Sequence, residues 1–151
     1  MTSTAQSETA QDPPRLQSAP NWLYLVREFD YAYRRGSAGG SRAVRSHMKQ
    51  VRDRIAKALT DNPVMQAPEP SAKPVTAHLE RALDNGLDGS MESMVKSIDK
   101  VKGEIAWEYG YERMPRYLAD KYAFADVMGP KGPIVCANLT LGLVLFAPRT
   151  T

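Results

Sequence analysis

The residues that most often carry chemistry are scarce here: one cysteine and two histidines in 151 residues, with aromatics at 8%. A lone cysteine, Cys136, excludes an intramolecular disulfide. His47 and His78 lie far from each other and from Cys136 in sequence, without the spacing of a Cys/His metal site, so no residue of this chain is expected to ligate a metal. Long apolar runs are missing as well. The longest nearly uninterrupted one, residues 139–147, is far short of the roughly 20 residues that span a bilayer. The opening "MTSTAQSETAQDPPRLQSAP" has no apolar signal core behind a basic start, and the expectation is a cytoplasmic chain with no membrane partner. Charge of one sign is not in excess either. Twenty basic residues against 17 acidic ones leave a net +3, which permits a nucleic-acid partner without calling for one.

What is present reads as an α+β chain: a helical region followed by strands. Residues 1–19, rich in Ser, Thr, Gln and Pro, have the composition of a disordered tail. In "NWLYLVREFDYAYRRG", Trp22, Leu25, Val26, Phe29 and Tyr33 recur at helical spacing, with Pro20 at the start and Gly36 at the end. After the "GSAGG" linker, Ser41 is placed to cap a second helix carrying the stripe Val44, Met48, Val51, Ile55 and Leu59, which should end near Asn62. Pro63, Pro68, Pro70 and Pro74 make residues 63–74 a stiff extended connector over the surface. A short helix follows from Thr76 to about Asn85, closed by Gly86. Ser90 is then expected to cap a helix with the face Met91, Met94, Val95, Ile98, Val101 and Ile105, so that residues 20–106 form one helical region.

From residue 107 the texture changes. "DKYAFADVM" and "PIVCANLTLGLVLFA" are rich in β-formers and flank the turn sequence "GPKGP", giving two or three strands with a break at Asn138. So few strands do not make a self-sufficient sheet. Either another chain completes it or further strands belong to it, and the apolar edge from Leu139 to Phe146 is one that proteins normally cover.

Candidate binding features are few. Arg42, Arg45, Lys49, Arg52, Arg54 and Lys57 make the second helix basic, but the charges encircle its apolar stripe and no aromatics interleave with them, so a solvated face outweighs a nucleic-acid site. "GSAGGS" before a helix resembles an anion cradle, yet it lacks a P-loop's Gly-Lys-Ser/Thr ending and follows a helix. Trp107, Tyr109, Tyr111, Tyr117, Tyr122 and Phe124 form an aromatic cluster. It is either a cation-holding wall, with Trp107, Tyr109 and Tyr111 on one face if extended, or a seam between helices and sheet.

The stretch "WEYGYERMPRYLADKYAFADVMGPKGPI", followed by "LTLGLVLFAPRTT", resembles the bacterial dimethylsulfoniopropionate (DMSP) lyases of the cupin type. "NWLYLVREF" and "KPVTAHLERALD" resemble the N-terminal helical part of that family's longer members. The resemblance implies that residues 107–151 begin a cupin-like β-barrel, incomplete here, holding a divalent transition metal. It also implies carbon–sulfur β-elimination of DMSP to dimethyl sulfide and acrylate, without an organic cofactor. In the family a tyrosine, a His-x-His pair, a glutamate and another tyrosine follow the stretch matching "LVLFAPRTT". None has a counterpart here, so no catalytic or metal residue is carried over, and the chain alone is expected to be inactive, the N-terminal portion of such an enzyme. A sulfonium substrate gives Trp107, Tyr111 and Tyr122 an expected place in the pocket wall. The alternative is a non-enzymatic interaction module using the basic helix or the sheet edge.

Overall fold

A computed structural model describes residues 12–35, 40–110 and 113–150. The element order is α1 (Pro20–Arg35), α2 (Arg42–Asp61), α3 (Leu79–Gly86), α4 (Glu92–Val101), α5 (Arg116–Ala119), β1 (Tyr122–Gly129), β2 (Ile134–Val135) and β3 (Leu141–Phe146). This is the helices-then-strands α+β order expected.

The helix ends follow local chemistry. The Ser41 hydroxyl accepts from the Val44 amide and caps α2, and Asn62 closes that helix in the left-handed conformation at φ 53°. The α1 face Trp22, Leu25, Val26 and Phe29 is buried. On α2 the stripe is buried only from Val51 onward, and Val44 near its start stays half exposed. Ser90 does not cap α4. Turn bonds from Leu87 to Asp84 and from Gly89 to Gly86 carry the chain past it, so α4 starts one residue after Met91, whose side chain caps nothing. Gly86 ends α3 as expected, for a different reason: a Cβ there would lie 2.5 Å from Val95 Cγ2, so its bareness lets α3 and α4 approach closely. Gly36 and most of the "GSAGG" linker lie outside the described residues.

Residues 1–11 of the expected tail lie outside the described residues. Residues 12–19 are not loose: Leu16 is fully buried in the main core and sits in a single 3-10 turn, Leu16–Ser18. The connector is extended and mostly exposed, as its prolines suggest, and three isolated bridges tie it into the fold, with Met65 buried. Arg15 bridges Val64, Met65 bridges Ile134 of β2, and Ser71 bridges Ala106. Leu16 N–H donates to Pro63 C=O at 2.9 Å, and Met65 N–H donates to Pro14 C=O at 2.8 Å. A proline lacks the donor but keeps its carbonyl, so Pro14, Pro63 and Pro133 all accept in this ladder.

The sheet has the order β2-β1-β3. β1 and β3 run antiparallel, pairing Tyr122 with Phe146, Phe124 with Val144 and Asp126 with Gly142, with an irregularity between Asp126 and Met128. β1 and β2 pair in parallel, Met128 with Ile134, so the chain through "GPKGP" makes a full loop instead of a hairpin. The single-residue bridges extend the sheet beyond β2 with the connector and then residue 15, on the side away from β3. Part of the partner surface that the terminal strands need therefore comes from the N-terminal half of the chain. β3 itself is an edge among the described residues. Leu16, Leu25, Ile55, Met128 and Ile134 are the largest fully buried side chains and join helices, tail and sheet in one core.

Candidate functional site

Alternation along β1 sorts its side chains. Ala123, Ala125 and Val127 are buried against the core, while Tyr122, Phe124 and Asp126 point to the opposite face and are half-buried. Cross-strand register then builds a small grid on that outer face. Tyr122 lies beside Phe146, Phe124 beside Val144, and Asp126 beside Gly142. On the other flank of β1, Glu108 pairs directly with Phe124 through two backbone hydrogen bonds of 2.8 Å. The Tyr122 and Phe146 rings are 5.6 Å apart at 51°. Phe146 and Val144 remain 56% and 55% exposed, an unusual allowance for neighbouring large apolar side chains.

Two glycines shape this face. A Cβ at Gly142 would meet the Ala125 carbonyl oxygen at 2.9 Å, so only glycine lets β3 approach here. Gly110, at φ +79°, lies so close to the Phe124 ring that a Cβ would come within 2.5 Å of Cε1. Burial pushes the Asp126 carboxyl above the ordinary aspartate range, since taking a carboxylate partly out of water disfavours its charge.

Of the expected wall residues, Trp107 and Tyr122 lie on opposite faces of the sheet. Trp107, 4% exposed, belongs to the core. Glu108 shares the outer face with Phe124, so alternation sends the Trp107 ring to the inner face, opposite Tyr122. It lines instead a shallow groove of about 310 Å³ with Ser71, Thr76 and Lys102. Tyr109 donates its hydroxyl to the Ala119 carbonyl, and the Lys73 ammonium lies 5.1 Å from its ring centre. Trp107 and Tyr109 thus form part of the seam between helices and sheet. Tyr111 lies outside the described residues, and Tyr117 is 75% exposed on α5. Phe146 was not legible as a neighbour of Tyr122, because only the β1–β3 register places it there, whereas Asp126 follows Tyr122 and Phe124 by alternation along β1.

Other candidates disperse. Among the described residues no group of three or more His, Cys, Asp or Glu side chains could hold a metal ion. On α2, Lys49 pairs with Asp53 and Lys57 with Asp61, both at 2.9 Å, and Arg54 donates to the Asn138 carbonyl, so half of the basic residues are engaged within the fold. Cys136 is a free, half-buried thiol. No helix among the described residues is long and apolar enough to cross a membrane.

No solved structure matches the chain. A protein of Cereibacter sphaeroides, provisionally named dimethylsulfoniopropionate lyase DddL, is 52% identical over 137 residues, covering 91% of this chain and 59% of that protein. The chain thus spans about three fifths of that relative's length. The sequence profile of the dimethylsulfoniopropionate lyase family matches residues 47–151, from the second turn of α2 through β3. The chain belongs to the dimethylsulfoniopropionate lyase family.

Proposed function

We propose that this chain serves a DMSP lyase, contributing the helical region and the first strands of the fold that binds the substrate. The supporting observation is the family match across residues 47–151. The reaction is a β-elimination. A base removes the proton on the carbon next to the carboxylate, the Cα=Cβ bond forms, and the Cβ–S bond breaks with its electron pair leaving on sulfur as dimethyl sulfide. Acrylate and one proton are the other products.

The divalent metal that the resemblance implies finds no ligand set among the described residues, so no step is routed through it. What this chain supplies is wall and support. Tyr122 stands on the outer sheet face, and Trp107 braces that face from behind, next in sequence to Glu108. A cytoplasmic setting suits a chain with one unpaired cysteine.

The test is a chimera in which this chain replaces the matching 137 residues of the Cereibacter sphaeroides protein. Headspace dimethyl sulfide from DMSP is expected with the chimera and not with the 151-residue chain alone. A chimera that unfolds cooperatively yet releases none contradicts the reading. A second reading, a non-enzymatic role for α2, is favoured by one observation: the helix is exposed nearly all round from Arg42 to Gln50. It predicts a stable complex through this segment that survives when no lyase activity is found.

A further inference from the structure

The helical half of the molecule holds a groove of about 630 Å³ that the lyase reading does not use, between the second half of α1 and the first turn of α4. Periodicity builds one wall. Arg27, Tyr31 and Arg35 recur every four residues and stand in one row along α1, with Glu28 in the adjacent row. Ser90, Met91 and Ser93 form the facing wall where α4 begins. The two helices run in opposite directions, since the Lys100 ammonium near the end of α4 lies 5.6 Å from the ring centre of Tyr24 near the start of α1.

Other charges on these helices are answered locally. Asp30 takes Arg34 at 3.1 Å, and Glu92 takes Lys96 at 2.8 Å. Arg27, Arg35 and Glu28 have no ion pair among the described residues. The Arg35 guanidinium lies instead over the Tyr31 ring, 4.8 Å from its centre. A guanidinium held by a ring face keeps its N–H edge free to donate. The Ser90 and Ser93 hydroxyls are likewise without a partner among the described residues. Tyr31 and Met91 are 55% and 47% exposed, so the groove also offers uncovered apolar surface.

Two unpaired guanidinium groups and two free hydroxyls suit an anion with more than two oxygens, which a phosphate monoester supplies and a carboxylate does not. A bare phosphate ion would leave Tyr31 and Met91 uncovered and would give Glu28 nothing to accept from. The groove's volume lies within the range of about 300–1,000 Å³ usual for small-molecule sites. We propose that the groove between α1 and α4 binds a phosphate monoester carrying a flat, hydrogen-bonding ring system, the class of the nucleoside monophosphates. Arg27 and Arg35, about 12 Å apart along the helix axis, close on the phosphate from the two ends of their row. The ring lies against Met91 and the part of Tyr31 that Arg35 leaves bare, and Glu28 accepts from a ligand O–H or N–H. The inference stands apart from the lyase reading, because none of these residues lies on the sheet.

The experiment is calorimetric titration of the full chain, at constant ionic strength, with adenosine monophosphate, adenosine and inorganic phosphate. The monophosphate is expected to bind about tenfold or more tightly than either of its parts. Arg27→Gln and Arg35→Gln should each weaken it about fivefold to thirtyfold while leaving adenosine unchanged. Tyr31→Ser should weaken the monophosphate and adenosine together and leave inorganic phosphate unchanged. All three positions are exposed, so the fold tolerates these changes. Arg42→Gln removes the same charge from α2 and separates the groove from general attraction to a basic surface. It should leave all three affinities as they are. Inorganic phosphate binding as tightly as the monophosphate, no measurable binding of the monophosphate, or equal weakening by Arg42→Gln and Arg27→Gln overturns the proposal.

Discussion

Replacing Leu16 with alanine tests whether residues 12–19 are part of the fold. Leu16 is fully buried, and its amide donates to Pro63 in the ladder that ties the tail to the connector. Truncation removes three carbon groups from the core at about 0.8 kcal/mol each, or about 2.4 kcal/mol. The cavity left behind adds to this, because residues held by helix α1 and by the ladder collapse only partly, and a total of about 3 kcal/mol is expected. Against a typical stability of about 5–15 kcal/mol, that loss is large, and it should lower Tm by roughly 6–12 °C. Urea denaturation followed by circular dichroism reads it as a fall in midpoint at constant m value. Gln17→Ala is the matched control. Its neighbouring position is exposed and uses only its backbone amide, which donates to the Asn62 side chain. A loss below about 0.5 kcal/mol for Leu16→Ala, indistinguishable from the control, refutes the placement of this segment in the core.

Further outcomes follow from particular contacts. Asn62→Gly keeps the left-handed backbone but loses the oxygen that accepts from Gln17, so it should cost less than Asn62→Ala, which loses both; equal midpoints in urea would contradict this. Gly86→Ala drives a Cβ into Val95 and should cost about 1–3 kcal/mol, mostly recovered in the double variant with Val95→Ala, as a double-mutant cycle would show. Asp126 has a raised pKa through burial, so its charge costs stability above the folded-state pKa, and that cost fades as pH falls toward the ordinary value of 3.8. Asp126→Asn should therefore raise Tm at pH 7, with the gain vanishing in acid. A gain that is constant with pH would show that charge is not its cause.

How far the sequence discloses this molecule depends on whether a signal is local. Caps and periodicity are local: Ser41 and Asn62 bound α2 as their side-chain chemistry requires, and Pro20 starts α1. Strands β1 and β3 were visible because their β-formers sit in continuous runs. The pairing of Leu16 and Met65 with distant partners was invisible. Leu16 is a lone apolar residue and Met65 half of a short Val64–Met65 pair in proline-rich surroundings, and long-range pairing with Pro63 and Ile134 ties them into the core. Ser90 misled because a serine before an apolar stripe is a fair cap signal, overridden here by turn bonds through Gly86 and Gly89. The site was half legible. Tyr122 and Phe124 lie in one run, but which face they share, and with which residues of β3, is a matter of register that no single strand encodes. Trp107 was expected with them on residue type alone, and strand alternation separates it from them.

The most direct test of the elimination is the product ratio from the chimera supplied with DMSP deuterated on the carbon beside the carboxylate. Dimethyl sulfide and acrylate are expected in equal amounts, with the deuterium from the broken C–D bond passing to solvent. Dimethyl sulfide accompanied by 3-hydroxypropionate that retains both deuterons would show displacement by water instead of elimination. No dimethyl sulfide from a folded chimera would remove the reaction altogether.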